Sequence, residues 1–244
     1  MQDMFDLGHN YRAKLGFVLL ATEQTIEENM YRMCPPNVGL HFTRAPIPDS
    51  ITVDTLASMA GDLAAAATLL LPDGSLDVIS YACTSGSLVI GEERVFKELR
   101  KGAPAAEPTS LITSVIRALR QVTATRIAVA TPYLDAINSR EAAYLEQAGL
   151  TVTSIQGLNL EKDSDMIRVR PDFLADFVTR SDTPDSDTVF ISCGALRSID
   201  IVEQLEQHLG KPVICSNQAM LWDMLRLAGI PDRVRGYGAL LAEH

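Results

Sequence analysis

The sequence predicts an α/β protein made of two pseudo-symmetric, doubly wound lobes with parallel sheets, related by internal duplication. Three observations predict this architecture. Strand-like runs are apolar without interruption, amphipathic helical segments separate them, and the order of segments repeats after about 110 residues. Uninterrupted apolar strands are typical of parallel sheets covered on both faces. The alternation of strands and helices favours right-handed βαβ units.

Eight segments have the strand pattern, and amphipathic segments lie between them. The predicted strands are LGFVLLA (15–21), LHFTRA (40–45), LDVISYA (76–82), TSLIT (109–113), RIAVATP (126–132), LTVTSIQ (150–156), TVFISC (188–193) and PVICS (212–216). The predicted helices include 53–71, 138–149 and 198–210. The last of these ends at Gly210, a residue type that commonly terminates helices.

The repeat relates two cysteines. In each half the middle strand ends in a cysteine, Cys83 or Cys193, which lie 110 positions apart. We expect a first lobe over 1–118, with the C-terminal segment 218–244 packing back on it, and a second lobe over 119–217. Ligands of open α/β sheets bind outside the carboxyl ends of the strands. Both cysteines are therefore expected to face one cleft.

Composition limits the classes of function. A hydrophobic content of 47% supplies a core, and a net charge of −10 without a basic stripe argues against a nucleic-acid partner. The chain has no apolar run of the length that spans a membrane, and its N-terminus lacks a signal-peptide pattern, so a cytoplasmic location is expected. Four widely spaced cysteines without a CxxC motif argue against structural zinc. A homo-oligomer remains open.

The turns after the two cysteines are rich in small residues. TSGS follows Cys83 and GALRS follows Cys193. Backbone N–H groups at such a turn bind anions and lower the pKa of a thiol, which predicts a thiolate nucleophile or base. The alternative is that both are inert buried thiols, but their equivalent positions in a repeat favour function. Cys34, in a loop, and Cys215, in a strand, are expected to be incidental.

Other polar residues follow the predicted strands. Thr84 and Ser85 either bind a carboxylate or cap the next helix, and Tyr133 either donates a phenolic hydrogen bond or packs as a half-buried aromatic. The remaining candidates are Glu23, Thr25 and Asn217. Glu23 is equally consistent with a first-turn helix carboxylate, and Asn217 with a helix cap.

Several segments together resemble a known family. LDVISYACTSGS, RIAVATPYLDAIN, SDTVFISCGALRSID, KPVICSNQAMLWDMLRLAG and GYGALL are similar to the aspartate/glutamate racemase superfamily, in the branch of arylmalonate decarboxylases and maleate cis–trans isomerases. ATEQTIE and ACTSGS also resemble ectoine-utilisation proteins. The resemblance implies two α/β lobes, no metal, no organic cofactor, and a small mono- or dicarboxylate held between two cysteines.

Carried over residue by residue, the resemblance places Cys83 and Cys193 at the two cysteine positions. Decarboxylases have glycine at the first of them, so a chain that keeps both is expected to be a racemase or isomerase. Thr84, Ser85, Tyr133 and Gly194 fall where the family hydrogen-bonds a substrate carboxylate.

The chain also departs from the maleate isomerases. Those enzymes carry an asparagine after the first strand, where Glu23 stands here, and a second asparagine in the loop where Asp163 and Ser164 lie. A carboxylate at position 23 would repel a dianion unless protonated or paired. It would suit a substrate that carries an amino group.

The sequence therefore predicts a cofactor-independent racemase or cis–trans isomerase of a small carboxylate. One alternative is a decarboxylase of a malonate-type acid that uses Cys193 alone. Another is a non-catalytic protein that binds small carboxylates. A redox pair would need the two cysteines within disulfide reach, which a substrate between them prevents.

Overall fold

The computed structural model describes residues 4–244, and two four-stranded parallel sheets dominate this part of the chain. The first sheet has the order β2-β1-β3-β4 and the second the order β6-β5-β7-β8. The strands are β1 (Ala13–Leu20), β2 (Val38–Ala45), β3 (Val78–Tyr81), β4 (Glu107–Ser110), β5 (Arg126–Thr131), β6 (Thr151–Gly157), β7 (Thr188–Ile191) and β8 (Val213–Cys215). The same order in both sheets is what a duplication produces, and the predicted fold class is confirmed.

Helices flank both sheets. They are α1 (Ile26–Met33), α2 (Val53–Ser58), α3 (Leu63–Ala67), α4 (Thr84–Ile90), α5 (Glu92–Gly102), α6 (Leu111–Gln121), α7 (Asp135–Gln147), α8 (Asp163–Met166), α9 (Pro171–Ser181), α10 (Val202–Leu209), α11 (Ser216–Leu227) and α12 (Ala239–Glu243). Helix α10 ends at Gly210, which has the predicted left-handed conformation with φ 66°. Among residues 4–244, no helix combines the length and apolarity needed to cross a membrane.

The prediction of one continuous helix over 53–71 is wrong. Helix α2 begins with a reciprocal cap between Thr52 and Thr55, and it gives way to a 3₁₀ turn at Met59–Gly61 before α3 starts. Gly61 lies at the interruption, and a glycine inside a helix costs about 1 kcal/mol relative to alanine. The apolar periodicity continues through the break, because both short helices bury leucine against the first sheet.

The strand register places the ends of neighbouring strands, and the residues that follow them, at one level in each sheet. Tyr81, at the end of β3, is paired with Val18 of β1 and Ser110 of β4. In the second sheet, Ile191, at the end of β7, is paired with Ala130 of β5 and Cys215 of β8. Each middle strand therefore stops two residues before its cysteine, at an edge formed by the carboxyl ends of its neighbours.

Helix α11 joins the two halves. It begins directly after β8 and is buried over its first ten residues, where it packs against α6 and also contacts α1 and β3. Its Asp223 accepts hydrogen bonds from Thr109 of the edge strand β4 and from Ser114 of α6, and it pairs with Arg117 of α6 at 3.0 Å. The proposed lobe boundary between residues 118 and 119 stays a prediction.

Candidate active site

A small cavity lies where the carboxyl ends of β3 and β7 meet. Two cysteines line it, together with six other polar or glycine positions and five apolar ones. The first group is Cys83, Cys193, Thr84, Ser85, Tyr133, Gly194, Glu23 and Asp163; the apolar group is Leu20, Ile51, Ala82, Met166 and Ala195. Both halves of the duplication contribute to the wall, as the repeat in the sequence led us to expect.

Cys83 is the residue that caps α4. Its Sγ accepts the backbone N–H of Gly86 at 3.2 Å and lies 3.6 Å from the hydroxyl of Ser85. Gly86 is required here, because a Cβ at this position would collide with the Tyr81 hydroxyl. The Tyr81 ring is fully buried beneath the turn and donates to the sulfur of Met59 at 3.1 Å. The turn thus holds the Cys83 sulfur at the floor of the cavity.

Cys193 occupies the equivalent turn with a strained backbone. Its φ is 100°, a region that residues with a side chain rarely adopt. Its N–H donates to the Ser216 hydroxyl at 3.0 Å, and the carbonyl of Gly194 accepts from Asn217 at 2.8 Å. Strain of this kind costs about 1–3 kcal/mol and persists where the surroundings enforce it, often at functional sites.

The expected lowering of the thiol pKa values is wrong. Burial raises the pKa of Cys83 to about 11, and the N–H of Gly86 and the hydroxyl of Ser85 offset only part of that effect. Burial also raises the pKa of Cys193 well above its usual value, with a further contribution from the nearby Asp163 carboxylate. Desolvation of the thiolate outweighs the turn's dipoles because both sulfurs lie almost entirely out of water. Both cysteines are therefore thiols near neutral pH.

Tyr133 is fully buried rather than half-buried, at 1% exposure. Its N–H donates to the Thr131 hydroxyl at 3.2 Å, and its carbonyl accepts from the Asn138 amide at 3.3 Å. This fixes the residue between β5 and α7. The phenolic hydroxyl lies near the Cys193 thiol and lowers the pKa of that thiol, against the larger effect of burial.

Two buried carboxyl groups complete the polar wall. Oε1 of Glu23 accepts the N–H groups of Thr25 at 2.5 Å and Ile26 at 2.9 Å, at the start of α1. Oδ2 of Asp163 accepts the hydroxyl of Thr22 at 2.6 Å. Burial, with the charge of Asp163 as the second cause, raises the pKa of Glu23 to about 7.

Asp163 reaches the cavity through a contact between two loops from different halves. Its N–H donates to the Asp49 carbonyl at 2.9 Å, and Ser50 forms an antiparallel bridge with Lys162. The N–H of Ile51 donates to the carbonyl of Glu161 at 2.8 Å. Asp163 is not among the site residues that the sequence predicts. The sequence signals it only through its place in the loop where the maleate isomerases carry their second asparagine.

Thr25 and Asn217 lie behind the cavity wall and not in it. The Thr25 hydroxyl donates to the Ala195 carbonyl at 3.0 Å. The Asn217 amide donates to Gly194, as above, and to Oδ1 of Asn29 at 2.9 Å. Both residues brace the turn after Cys193. The hydroxyl of Thr84, at 3.1 Å from the Ser216 hydroxyl, links that turn to the first half.

No cluster of three or more His, Cys, Asp or Glu side chains suited to a metal ion occurs within residues 4–244. The arrangement brings two thiols, a phenol, two hydroxyls and two carboxyls to one small cavity. Thiols and carboxyls exchange protons, and hydroxyls donate hydrogen bonds. The site is therefore equipped to bind a small polar molecule and move protons on it.

Comparison with known proteins gives relatives of two activities. Arylmalonate decarboxylase of Bordetella bronchiseptica is 38% identical over 138 residues, which are 55% of this chain and 58% of that enzyme, less than two thirds of its length. Maleate isomerase of Nocardia farcinica is 26% identical over 242 residues, 94% of this chain and 96% of that enzyme.

A solved structure confirms the fold. A Nocardia farcinica maleate cis–trans isomerase mutant with a covalently bound succinylcysteine intermediate superposes with a TM-score of 0.87. It is 24% identical, and the match covers 95% of this chain and 99% of that one. The family model described as arylmalonate decarboxylase matches residues 48–241, the larger part of the sequence. The chain therefore belongs to the arylmalonate decarboxylase family, whose relatives include the maleate isomerases.

Proposed function

We propose that this protein is a cofactor-independent racemase or cis–trans isomerase of a small carboxylate, acting through Cys83 and Cys193. The observation that carries the proposal is that both cysteines line one cavity from equivalent strand ends of the two halves. Two proton-exchanging groups on opposite halves suit a reaction in which a proton leaves one face of a carbon and returns on the other.

In the racemase scheme one cysteine, as thiolate, removes the proton from the carbon next to the carboxylate. The thiol of the other cysteine then donates a proton to the opposite face, so that each turnover exchanges the roles of the two sulfurs. The carboxylate takes up charge in the intermediate, and the hydroxyls of Thr84, Ser85 and Tyr133 are the donors that stabilise it. A well-placed donor of this kind contributes about 3 kcal/mol.

The raised thiol pKa values impose a requirement on this scheme. One thiol has to lose its proton before the reaction, and a group in the same cavity has to accept it. The nearby Tyr133 hydroxyl favours the anionic form of Cys193, because it lowers the pKa of that thiol.

The isomerase scheme uses the same groups differently. One thiolate adds to a carbon–carbon double bond, a carbon–sulfur bond forms, and the neighbouring carbon becomes a carbanion that the carboxylate stabilises. The thiol of the other cysteine donates a proton to this carbanion, and rotation about the resulting single bond follows. Return of that proton to the sulfur, with loss of the first thiolate from carbon, then gives the other geometric isomer. The succinylcysteine intermediate of the Nocardia farcinica enzyme supports this form of the proposal.

Decarboxylation is the second candidate, favoured by the 38% identity to the Bordetella bronchiseptica enzyme. It needs one proton donor, Cys193, after carbon dioxide has left. Cys83 would then be dispensable. Retained turnover of a malonate-type acid in Cys83→Gly, with loss in Cys193→Gly, would favour this candidate over a two-thiol reaction.

A proton-exchange screen in heavy water tests the proposal. Small carboxylic and amino acids are incubated with the purified protein, and deuterium incorporation next to the carboxylate is followed by NMR. We expect exchange on at least one member of the panel, or interconversion of cis and trans isomers of an unsaturated acid. Carbon dioxide release from a malonate-type acid, with neither of these, would replace the proposal with the decarboxylase.

A further inference from the structure

The cavity is acidic along one side. Glu23 and Asp163 both line it, and each is buried, at 5% and 3% exposure. Among the described residues of the wall, none is Lys, Arg or His. A site that received two carboxylates from its ligand would place them against two of its own without a cation to offset the repulsion.

Neither carboxyl group has its charge compensated by the protein. Oε1 of Glu23 accepts two backbone N–H groups, and Oδ2 of Asp163 accepts one hydroxyl. No ion pair within residues 4–244 includes either residue. Arg44 approaches Glu23, but its guanidinium donates to the Glu23 carbonyl at 3.1 Å and forms its ion pair with Glu27. Buried carboxylates are normally paired or hydrogen-bonded on every lone pair.

The Asp163 carboxylate also disfavours the ionisation of Glu23. The charge of Asp163 raises the pKa of Glu23 and of both cavity thiols. A cation held between Glu23 and Asp163 would reverse these effects, since it favours the charged form of each carboxyl. An anion at the same place would strengthen them.

Other residues of the wall have a different chemistry. Thr84, Ser85 and Tyr133 are hydroxyl residues of the same wall, which the two cysteines also line. The cavity therefore offers hydrogen-bond donors around the sulfurs and negative charge at Glu23 and Asp163. A molecule complementary to both carries a carboxylate and a cation.

We propose that Glu23 and Asp163 form a cation subsite for a protonated amino group, so that the substrate is a small amino acid and not a dicarboxylate. This inference rests on the proposed function, because it takes the hydroxyl-lined region around Cys83 and Cys193 as the place of the carboxylate. It separates this chain from its maleate isomerase relatives in substrate and not in the cysteine chemistry.

Pairs of ligands in which an ammonium group replaces one carboxylate test the proposal. Alanine is paired with methylmalonate, β-alanine with succinate, and 4-aminobutyrate with glutarate, so that the amino group moves stepwise away from the carboxylate. Dissociation constants come from calorimetric titration of the purified protein and require no turnover. We expect the amino member of at least one pair to bind at least about tenfold more tightly than its partner.

Two substitutions then test whether Glu23 and Asp163 cause the preference for the amino ligand. In Glu23→Gln and Asp163→Asn the ratio of the two dissociation constants should fall by about tenfold each. Asp165→Asn is the matched control, because Asp165 lies on the same short helix as Asp163 but is exposed. It should keep the wild-type ratio. Both dissociation constants of a pair are measured on the same variant, so their ratio does not depend on the stability of that variant. If a variant fails to fold, the ratio measured on the wild-type protein decides whether the cation subsite stands.

The results separate this inference from the proposed function. Equal or tighter binding of the carboxylate member in every pair, or ratios unchanged in both variants, would overturn the cation subsite. If the dicarboxylate binds more tightly in every pair, and if proton exchange requires both cysteines, the proposed function stands and the cation subsite is contradicted. If the amino ligands bind more tightly but no acid exchanges protons, the cation subsite stands and the proposed function is contradicted.

Discussion

The backbone N–H of Cys193 donates to the Ser216 hydroxyl at 3.0 Å. The same hydroxyl lies 3.1 Å from that of Thr84, the residue that follows Cys83. One serine thus connects the two cysteine turns, each of which belongs to a different half of the duplication. Because Cys193 has φ 100°, this bond also helps to hold a backbone conformation that the isolated chain disfavours.

Removing this connection should cost both stability and turnover. Ser216→Ala leaves the buried N–H of Cys193 without its acceptor, which lowers the free energy of unfolding by about 1–3 kcal/mol. Turnover should fall further than substrate affinity, because the Cys193 sulfur loses its fixed position. Denaturant unfolding and steady-state kinetics measure the two effects. Ser80→Ala is the control, since the buried Ser80 hydroxyl has no partner within residues 4–244; an equal loss in both variants would contradict the role given to Ser216.

Gly86 should tolerate no side chain. A Cβ there would overlap the Tyr81 hydroxyl, so Gly86→Ala should displace Tyr81 or the turn that holds Cys83. Overpacking of this kind costs about 1–3 kcal/mol. Gly61→Ala is the matched control, because nothing lies within 4 Å of its added Cβ. We expect the midpoint of thermal unfolding to decrease strongly in Gly86→Ala and not to decrease in Gly61→Ala. Similar midpoints in the two variants would contradict the predicted overlap with Tyr81.

The stability of the fold should depend on pH through Glu141. This residue is fully buried, its Oε1 accepts the Ser192 hydroxyl at 2.6 Å, and burial raises its pKa from 4.5 to about 7. A folded-state pKa above the unfolded value means that the protonated form is favoured by folding. This contribution is complete below pH 4.5 and is lost as the pH rises to about 7.

Glu141→Gln removes that dependence. The substitution should change the free energy of unfolding in a pH-dependent way. Its effect should be about 3 kcal/mol more stabilising at pH 8 than at pH 4.5, since each pKa unit corresponds to about 1.4 kcal/mol. Urea unfolding at the two pH values measures the difference. Glu146→Gln, at an exposed position of the same helix, should show no such change. A pH-independent effect of Glu141→Gln would be inconsistent with a buried titrating carboxyl.

Cys83 should react slowly with alkylating agents at neutral pH. Its pKa is raised to about 11, so the thiolate fraction grows about tenfold per pH unit below that value. The rate of iodoacetamide modification at Cys83, followed by peptide mass spectrometry, should therefore still rise between pH 8 and 10. N-acetylcysteine, as the reference thiol, should level off earlier. A plateau for Cys83 at pH 8 would show that the turn, and not burial, sets its pKa.

Local sequence patterns predict most of the strands and the meeting of the two cysteines in one cavity. Seven of the eight apolar runs became strands within residues 4–244, with bounds shifted by no more than two residues, since uninterrupted apolarity depends on burial that the chain encodes locally. The predicted strand over 109–113 is wrong in its second part, because β4 ends at Ser110 and Leu111 begins α6. Cys83 and Cys193 line one cavity, which the repeat predicts because equivalent strand ends meet at one edge. Their roles as catalytic groups remain a prediction.

Other features depend on contacts between distant segments. Asp163 enters the cavity wall through the bridge between Ser50 and Lys162, and nothing near either residue in the sequence signals that pairing. The thiol pKa values depend on how completely the halves exclude water, which local turn chemistry does not report. Thr25 follows a strand as expected, but its hydroxyl turns to the backbone of Ala195.

The most direct test of the two-thiol proposal compares four single cysteine variants. Cys83→Ala and Cys193→Ala should each lower the rate of racemisation or isomerisation by about 10²–10⁴-fold, with unchanged thermal midpoints. Cys34→Ala and Cys215→Ala, which alter cysteines outside the cavity wall, should retain turnover. The measurement is the rate of stereochemical or geometric interconversion of the acid identified in the heavy-water screen. Loss in both of the first two variants supports a reaction shared by two sulfurs, and full activity in either one contradicts it.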